Sequence, residues 1–456
     1  MTQFSTLPLI APLQRALTEI DYATMTPVQA SSLPGILAGR DVIAQAATGS
    51  GKTAAFALGL LSALDTAAVK LQGLVLCPTR ELADQVSREV RRIARFIPNV
   101  KVLTLCGGIP LRPHLASLAH EPHIVVGTPG RLLELIERDA LPLHALKVLV
   151  LDEADRMLDM GFAEDIASII ERTPKQRQTL LFSATLPDDV RQVSRQFQRD
   201  PLDVTVASAE DEPAIEQVFI EVAAEEKIDA LAAVLLHDRP DSAVVFCNTR
   251  QEVRAVAGEL AARNFSVLSL HGELDQRERE EMLVRFANRS CTVLVASDVA
   301  ARGLDIADLA MVINFDMAPD PDVHTHRIGR TGRAGRRGMA VNLCSPREAT
   351  RVNAIASRFD GPLQWRKLST GAHTRKPLVA PFVTLAVDAG RKDKLRPGDL
   401  LGALTGDAGL PATAIGKIDV FPTRTYVAVA HGLHDQALRR LRAGKIKGRT
   451  FRVRKI

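Results

Sequence analysis

Two strand-like segments that end in polar residues constrain the fold of this chain most strongly. Val148–Leu151 is a run of apolar residues that is followed directly by Asp152 and Glu153. Roughly a hundred residues earlier, the run Asp41–Ala44 leads into a glycine-rich turn, Gly49–Thr53. Apolar runs of this length predict strands that are buried on both faces, as in parallel sheets covered by helices. The chain is therefore expected to contain a parallel α/β sheet with a polar site at the carboxyl ends of its strands.

The glycine-rich turn and the two acids together predict a site for a nucleoside triphosphate with Mg²⁺. Lys52 is expected to reach the β- and γ-phosphates, and Thr53 to ligate Mg²⁺. Asp152 is expected to hold the same ion, and Glu153 to orient the attacking water. Ala46 stands where this pattern normally has its first glycine, so a purely structural turn is the alternative for the turn taken alone. Backbone N–H groups that face the phosphates are expected from Ala47, Thr48, Gly49, Ser50 and Gly51.

The alternation of short apolar strands with helical patterns occurs twice along the chain. It stops at the polar segment 207–213 and then restarts with a second series of strands. Another polar segment, residues 369–377, precedes the C-terminal end. Both segments have the composition of linkers. We therefore expect three domains, at residues 1–206, 214–368 and 380–456, of which the first two are α/β domains with parallel sheets.

The C-terminal end of the chain is strongly basic. Residues 381–456 carry 15 Lys and Arg against 6 Asp and Glu, a net charge of +9, whereas the whole chain carries only +5. The remainder is therefore mildly acidic, with a net charge of −4. A basic end on an acidic body predicts an appended module that binds a polyanion. The alternative is a basic domain whose charge only keeps it soluble.

The basic module shows the order strand, helix, strand, strand, helix, strand, which is typical of an RRM-type α+β sandwich. Few aromatic residues are available on its strands for stacking with RNA bases, and the two candidates are Tyr426 and Phe382. Basic side chains are therefore the expected contacts with RNA phosphates and base edges. A solvated basic face is the alternative interpretation. The expected contact residues near the C-terminus are Lys445, Lys447 and Arg449, together with Arg452, Arg454 and Lys455.

Several further short segments lie at or just after predicted strand ends and offer backbone N–H, hydroxyl or guanidinium groups. In chain order they are Pro78–Ala83, Gly107-Gly108 and Thr128–Arg131. Two more motifs are Ser183–Thr185 and His326–Arg333; the second is too dense in arginine for an ordinary solvated face, and a basic loop is its alternative. Since Asp152–Asp155 reads D-E-A-D, the chain resembles the DEAD-box RNA helicases along nearly all of residues 4–345. The resemblance implies two RecA-like parallel-sheet domains that use ATP and Mg²⁺ and act on RNA.

The resemblance also assigns roles within the nucleotide site. Phe4 and the segment from Tyr22 to Gln29 are similar to the adenine-recognition element of the family. Phe4 would stack on the base, and Gln29 would pair with its edge through the side-chain amide. Met25 stands where proline is more usual. Asp305 would meet the ribose.

Arginine fingers and RNA contacts are implied in the same way. Arg330 and Arg333 would reach the triphosphate, and such a finger contributes about 10³–10⁵ in rate. Because these arginines belong to the other domain, hydrolysis would require the domains to close. Ser183–Thr185 would couple hydrolysis to strand separation. The residues that would contact RNA in the helicase core are Arg80, Gly108, Thr128, Arg131, Gln276 and Arg279.

The basic module extends the resemblance to almost the whole chain. Arg396–Asp399, Leu401–Gly406 and Gly416–Ile418 are similar to the C-terminal domain of the DbpA group of DEAD-box proteins. This group consists of bacterial helicases that recognise a hairpin of 23S rRNA and assist ribosome assembly. The resemblance implies that hairpin and pre-50S particles as partners, whereas charge and spacing alone indicate only a nucleic acid.

Composition bounds the cellular setting. The five cysteines are scattered and none forms C-x-x-C, which favours reduced, buried thiols in a cytosolic protein over a metal site or disulfides. No apolar run approaches the length of a membrane helix. The N-terminal residues lack the features of a signal peptide. We therefore expect a cytoplasmic monomer without a membrane partner.

The sequence thus predicts an ATP-dependent RNA helicase that unwinds or remodels rRNA, and it leaves two alternatives. One is an RNA-binding assembly factor or annealing chaperone whose ATPase only times release. Measuring strand separation and annealing on the same duplex distinguishes it. The other is a DNA translocase, against which the adenine-recognition element and the RRM-like module argue.

Overall fold

The computed structural model describes residues 3–46, 49–206, 215–301, 309–332, 338–358, 362–368, 376–406 and 409–456. The chain divides into two compact units, of which the first ends at Glu212 and the second holds all described residues after it. Each unit contains a seven-stranded sheet, and the second also contains a four-stranded sheet. The expected α/β class with a small α+β tail is confirmed.

The first unit is a parallel sheet with helices on both faces. Its strands are β1 (Val42–Gln45), β2 (Gly73–Leu76), β3 (Val102–Leu105), β4 (Ile124–Gly127), β5 (Val148–Asp152), β6 (Gln178–Ser183) and β7 (Leu202–Thr205). They pair in the order β3-β4-β2-β5-β6-β1-β7, all in parallel. Its helices are α1 (Ala11–Glu19), α2 (Pro27–Leu37), α3 (Lys52–Ser62), α4 (Arg80–Ile93), α5 (Leu111–Leu118), α6 (Pro129–Glu137), α7 (Ala154–Asp159), α8 (Ala163–Glu171) and α9 (Asp188–Phe197). Because β1, β6 and β5 are neighbours, the segments that follow them meet at one edge of the sheet.

Strand β5 shows why its apolar run does not alternate with polar residues. Val148 and Val150 belong to the hydrophobic core on one face of the sheet, whereas Leu149 and Leu151 belong to the core on the other face. Successive side chains of a strand point to opposite faces, so a sheet covered on both sides needs apolar residues at every position. Asp152, the first polar residue, therefore stands where the strand reaches the edge of the sheet.

The second unit repeats this architecture. Its strands are β8 (Ile215–Glu221), β9 (Ala243–Cys247), β10 (Val267–Leu270), β11 (Val293–Ser297), β12 (Met311–Asn314), β13 (Gly338–Cys344) and β14 (Gln364–Trp365). They pair in parallel in the order β10-β11-β9-β12-β13-β8-β14. Its helices are α10 (Lys227–Asp238), α11 (Arg250–Ala262), α12 (Gln276–Ala287), α13 (Asp298–Ala301), α14 (Pro321–Ile328) and α15 (Ala349–Ala356). The carboxyl ends of β11, β9 and β12 are adjacent, and they carry the polar residues that matter below.

The C-terminal residues form a small antiparallel sheet with two helices on one face. Its elements are β15 (Phe382–Val387), α16 (Pro397–Thr405), β16 (Ile415–Val420), β17 (Thr425–Ala430), α17 (His434–Ala443) and β18 (Val453–Lys455). The strands pair in the order β16-β17-β15-β18. This is the element order that the sequence predicts. We call this part of the second unit the tail.

The face of the tail sheet that carries no helix of its own packs on α12. Tyr426 and Ala386 are fully buried, and they form one apolar cluster with Val284 of α12. Phe421 meets the Tyr426 ring edge-on, with 5.5 Å between the ring centroids. The sheet face on which RRM-type domains usually stack bases is thus covered by the chain itself.

Polar contacts fix the same interface. The guanidinium of Arg454, which the sequence predicts as an RNA contact, donates two hydrogen bonds to the Glu281 carboxylate of α12, at 3.3 and 2.7 Å. The Thr384 hydroxyl lies 2.7 Å from the Ser290 hydroxyl. The Asn288 amide donates to the Thr384 hydroxyl oxygen at 3.4 Å. A bidentate Arg–carboxylate pair has a defined geometry, so these bonds set the orientation of the tail on α12.

Two further properties follow from the described residues. All five cysteines are buried free thiols. Among the residues that the structure describes, none of the helices combines the length and the apolar character needed to cross a bilayer.

The Arg454–Glu281 pair generates a prediction about stability. Arg454→Glu places two carboxylates together and should lower the free energy of unfolding, and the double exchange Arg454→Glu with Glu281→Arg should recover much of that loss. We expect a coupling energy of about 0.5–3 kcal/mol in this double-mutant cycle, measured by urea unfolding. Arg452→Glu, the same charge change at an exposed neighbour, is the control. Additive effects of the two substitutions would show that the pair does not hold the interface.

Candidate functional site

The glycine-rich turn after β1 is shaped by two left-handed glycines. Gly49 has φ 89°, and Gly51 has φ 93° and forms the N-cap of α3. A Cβ on Gly51 would approach the Thr26 hydroxyl to 3.1 Å and would overlap the Gln29 amide. Glycine is therefore required here both for the backbone angle and for the close approach of α2. The turn opens an eleven-residue helix, whose N-terminus attracts anions.

Lys52 is the first residue of α3 and is buried. Its Nζ donates to the Ala46 carbonyl at 2.7 Å, so the ammonium is folded back along the turn. The Ser50 hydroxyl is buried and has no hydrogen-bond partner among the described residues, which leaves it available to an oxygen-rich ligand. Thr53 follows in the first turn of the helix. Ala47 and Thr48, also predicted to contact phosphate, lie outside the described residues.

The two acids lie at the end of β5, on the strand next to β6. Asp152 is the last residue of the strand and is buried. Burial raises the pKa of its carboxyl to about 7, although the Lys52 ammonium pulls that pKa down. Glu153 is in the left-handed region, with φ 54° and ψ 54°. For a residue with a side chain this conformation costs of order 1–3 kcal/mol and is typical of functional sites.

The segment after β6 connects the acids to the glycine-rich turn. Asp155 accepts hydrogen bonds from both the backbone N–H and the hydroxyl of Thr185, each at 2.9 Å. The Asp155 N–H donates to the Ser183 hydroxyl at 3.2 Å. On the other side, the Ala46 N–H donates to the Ser183 carbonyl at 3.0 Å. Hydrogen bonds therefore connect Ser183–Thr185 to both segments that are predicted to hold the phosphates.

Gln29 joins α2 to the glycine-rich turn. Its side-chain oxygen accepts from the Thr26 N–H at 2.8 Å, and its Nε2 donates to the Gly51 carbonyl at 3.0 Å. One N–H and one lone pair of the amide remain, which is the set that a base edge needs. The structure thus places Gln29 beside the turn, and adenine reading stays a prediction.

The aromatic residues of the expected adenine element pack on each other. The rings of Phe4 and Tyr22 stack with 6.3 Å between centroids and 19° between planes. Phe4 is only 2% exposed, so little of its ring is open to a base. The Tyr22 hydroxyl donates to Glu89 at 3.1 Å. Stacking of Phe4 on adenine therefore stays a prediction.

The four RNA-contact residues predicted in the first unit are brought together by the segment 107–109, which follows β3. Arg80, at the start of α4, donates to the Gly107 carbonyl. The Thr128 hydroxyl accepts from the Gly107 N–H at 3.2 Å, and Arg131 donates to the carbonyl at the end of the segment at 2.8 Å. Gly108, between them, is left-handed with φ 70°. These residues lie at the carboxyl ends of β2, β3 and β4, which is the same edge as the nucleotide turn.

Two of the predicted residues of the second unit, Gln276 and Arg279, follow the carboxyl end of β10, whereas Arg330 lies beside Leu309, just before β12. Gln276 begins α12, and Arg279 one turn later donates to the Ala300 carbonyl of α13 at 2.8 Å. Arg330 follows α14 and is buried; its N–H donates to the Arg327 carbonyl at 3.2 Å. Arg333 and Asp305 lie outside the described residues.

The predicted basic residues of the tail lie on a loop before β18. The Lys447 ammonium donates to the Lys394 carbonyl at 3.0 Å, and the Arg449 guanidinium lies 5.0 Å from the centre of the Phe451 ring. Both side chains are at least half exposed, at 50% and 60%, and Lys445 is exposed as well. The loop can therefore meet a large polyanion without rearranging the tail.

Sequence reasoning gave no role to Arg327 or to the polar residues around it. Arg327 is among the largest fully buried side chains of the described chain. The signal that could have revealed it is an arginine near the buried end of a helix, three residues before Arg330. Its partners, Asn248 and Asp298, each follow a strand end.

Comparisons with known proteins give a consistent result. Three family models match the chain: DEAD/DEAH box helicase over residues 26–193, helicase conserved C-terminal domain over 226–335, and DbpA RNA binding domain over 384–455. The ATP-dependent RNA helicase DbpA of Escherichia coli (strain K12) is 53% identical over 455 residues, which covers 100% of this chain and 99% of that protein. The DEAD-box ATP-dependent RNA helicase CshA of Bacillus cereus is 43% identical over 356 residues, covering 78% and 68% of the two chains.

One solved structure shares the fold of most of the chain. Saccharomyces cerevisiae Dbp5 bound to RNA and ADP BeF3 matches with a TM-score of 0.74 and 30% sequence identity. The match covers 81% of this chain and 96% of that one.

Glu153→Gln should separate binding from hydrolysis. The amide keeps the size of the side chain but cannot polarise water, and water activation contributes about 10²–10⁴ in rate. We expect the variant to hold ATP and RNA together while turnover falls by that factor, measured by filter binding and phosphate release. Glu171→Gln, an exposed position at the end of α8, should behave as wild type. Near-normal turnover of Glu153→Gln would contradict the assignment.

Gln29→Ala should remove the preference for adenine. A site that pairs with adenine leaves polar groups unpaired against guanine, so the wild type should hydrolyse ATP much faster than GTP and the variant should not. The capping contact with Thr26 is also lost, at a cost of about 0.5–2 kcal/mol. Gln198→Ala is the control, because Gln198 is a buried amide bonded to the Val42 and Thr179 carbonyls near the amino ends of their strands. Equal use of ATP and GTP by the wild type would show that the element has another role.

Proposed function

The chain belongs to the DEAD/DEAH box helicase family, in its DbpA group, and is an ATP-dependent RNA helicase; from this premise we propose that it remodels a hairpin region of 23S rRNA. This remodelling would take place during assembly of the large ribosomal subunit. The proposal includes pre-50S particles as partners and a cytoplasmic monomer. Its domains would be residues 1–206, 214–368 and 380–456. The observation that carries the proposal is the basic tail, which offers exposed cations while its sheet face is used for docking on α12.

Selection of the RNA is assigned to the tail. Phosphate contacts alone give binding that is sensitive to salt and indifferent to sequence, whereas base contacts are needed to choose one hairpin. Lys445 lies at the edge of a cavity of about 260 Å³ between α16 and the end of α17, which Ala403 and Leu441 also line. A concave site with both apolar and basic lining residues, beside exposed cations, is suited to one unstacked base of a hairpin loop.

Hydrolysis is assigned to the edge of the first sheet. Thr53 and Asp152 would hold Mg²⁺, and the ion would supply charge neutralisation of the phosphates. The donor set fits, because both side chains offer oxygen and the Ser50 hydroxyl beside them is buried without a partner among the described residues. Lys52 balances the phosphate charge, and Glu153 orients the attacking water.

The remaining groups complete the cycle of this proposal. Arg330 and Arg333 would stabilise the charge that develops on the transferred phosphoryl group. The hydrogen bonds from Thr185 to Asp155 would transmit the loss of the γ-phosphate to the RNA-binding edge at Arg80 and Arg131. Strand separation follows from a change of RNA affinity at that edge, because a bound ligand shifts an equilibrium only by its differential affinity.

The proposal is tested by reversing the charge of the exposed loop. Lys445→Glu, Lys447→Glu and Arg449→Glu combined should abolish the preference for a 23S rRNA hairpin over random RNA of equal length. ATP hydrolysis with saturating random RNA should persist, because the helicase core is unchanged. The control reverses three exposed charges near the amino edge of the first sheet, at Lys70, Arg138 and Arg172. Strand separation and annealing are measured on the same duplex.

Two outcomes would contradict the proposal. An unchanged hairpin preference in the triple variant would place selectivity in the helicase core. Annealing without ATP-dependent strand separation by the wild type would favour an assembly factor that acts as an annealing chaperone.

A further inference from the structure

Arg327 of α14 is a buried cation whose hydrogen-bonding capacity is fully used. Its side chain is 1% exposed, and a charge in such a place is stable only when it is paired and hydrogen-bonded. A guanidinium has five N–H donors in a fixed planar arrangement. The ring of Phe246 lies below it, with 5.2 Å from Cζ to the ring centre.

Each of the five donors has an acceptor. Nε and Nη2 donate to the two oxygens of Asp298, both at 2.7 Å. Nη2 also donates to the side-chain oxygen of Asn248 at 2.7 Å. Nη1 donates to the side-chain oxygen of Asn314 at 3.1 Å and to the Asp316 carbonyl at 2.7 Å. Lysine, the other strongly basic side chain, cannot replace this arrangement of donors, because its ammonium has only three N–H groups around a point charge.

These acceptors belong to three adjacent strands. Asn248 follows β9, Asp298 follows β11, and Asn314 ends β12, and the three strands are neighbours in the order β11-β9-β12. One guanidinium therefore holds the carboxyl ends of three central strands to helix α14. Asn248 is itself fixed, because its N–H donates to the Asp316 carboxylate at 2.9 Å.

The same side chain lies between two predicted functional residues. On one side, Arg279, a predicted RNA contact, donates to the Ala300 carbonyl, and Ala300 belongs to the short helix α13 that begins with Asp298. On the other side, the Arg330 N–H donates to the Arg327 carbonyl. Arg279, α13, Arg327 and Arg330 thus form a continuous chain of contacts within the second unit.

We propose that Arg327 is a positioning residue that sets the location of Arg330 for hydrolysis. Through α13 it also connects this location to the RNA-binding side of the second domain, where Arg279 lies. This inference rests on the proposed functions of Arg279 and Arg330. Arg327 touches neither nucleotide nor RNA; it acts by fixing α14 against the strand ends. A displacement of about 1 Å at a catalytic group can cost 10²-fold in rate, so a small loosening of this attachment is sufficient for a large effect.

The test uses Arg327→Lys in the full-length protein. Lysine keeps the positive charge next to Asp298 but cannot serve all four acceptor residues. We expect kcat of RNA-stimulated ATP hydrolysis to fall by about 10–100-fold, while KM for ATP and the affinity for RNA change less than threefold. Asn314→Ala, which removes one of the five acceptors together with the hydrogen bond to Asn342, should give a smaller change in the same direction. Both are measured well below the melting temperature of each variant.

A control on the same helix separates positioning from folding. His324 is fully buried in α14 and lies 3.1 Å from the Gln217 side chain on β8, a strand that supplies none of the acceptors of Arg327. His324→Leu should lower Tm as Arg327→Lys does and leave kcat unchanged. If kcat instead follows Tm across all three variants, Arg327 has a structural role only and the proposal is overturned.

The final arm tests whether Arg327 acts through Arg330. In an Arg330→Ala background the loss of kcat from Arg327→Lys should disappear, since a misplaced group that is already absent cannot matter. If Arg327→Lys lowers kcat by the same factor in the wild type and in the Arg330→Ala background, the proposal is overturned. If Arg330→Ala has no effect on kcat by itself, the proposed function of Arg330 fails. The inference about Arg327 fails in a different way: Arg330→Ala then lowers kcat, whereas Arg327→Lys does not.

Discussion

The parallel pairing of β5, β6 and β1 is the constraint on which the rest of the first unit depends. It brings the acids at the end of β5, the segment after β6 and the turn after β1 side by side, although roughly a hundred residues separate the turn from the acids in the chain. The double hydrogen bond from Thr185 to Asp155 exists only because these strands are neighbours. In our proposal, a site assembled in this way binds phosphate at one strand and is hydrogen-bonded to the coupling segment at the next.

The second unit uses the same sheet edge in a different way. There the carboxyl ends of three strands converge on a single buried guanidinium rather than on an open turn. Burying a charge is costly unless every donor is satisfied, so the arrangement permits little variation in the position of α14. The first unit thus has an open turn at this edge, whereas the second has a buried cation that fixes α14 to three strands.

The sequence was sufficient for those features that depend on local pattern. The uninterrupted apolar run before Asp152 predicted a strand buried on both faces, and the element order of the tail was predicted correctly. Asn342 interrupts the apolar pattern of β13, and its pairing with Asn314 on the neighbouring strand is a contact that no local pattern predicts. Burial of Phe4 against Tyr22, and of Tyr426 against α12, depends on partners remote in sequence. The five acceptors of Arg327 are equally remote, and no spacing rule reveals them.

The tail is docked through its sheet, and this changes how selection of RNA can work. A tethered module would only raise the local concentration of RNA, whereas a module fixed on α12 holds its exposed basic loop in a constant orientation relative to Gln276 and Arg279. The orientation depends on the Arg454–Glu281 pair and on the apolar contact of Tyr426 with Val284. RNA bound by the tail would therefore be presented to the second domain in one register.

The most direct test of this account is crosslinking of the protein to RNA in cells, followed by sequencing of the RNA and mass spectrometry of the crosslinked peptides. The account predicts that reads concentrate at one hairpin of 23S rRNA in pre-50S particles and that crosslinked peptides include residues 445–449. Reads spread over cellular RNA in proportion to abundance, or crosslinks that avoid the tail, would contradict it.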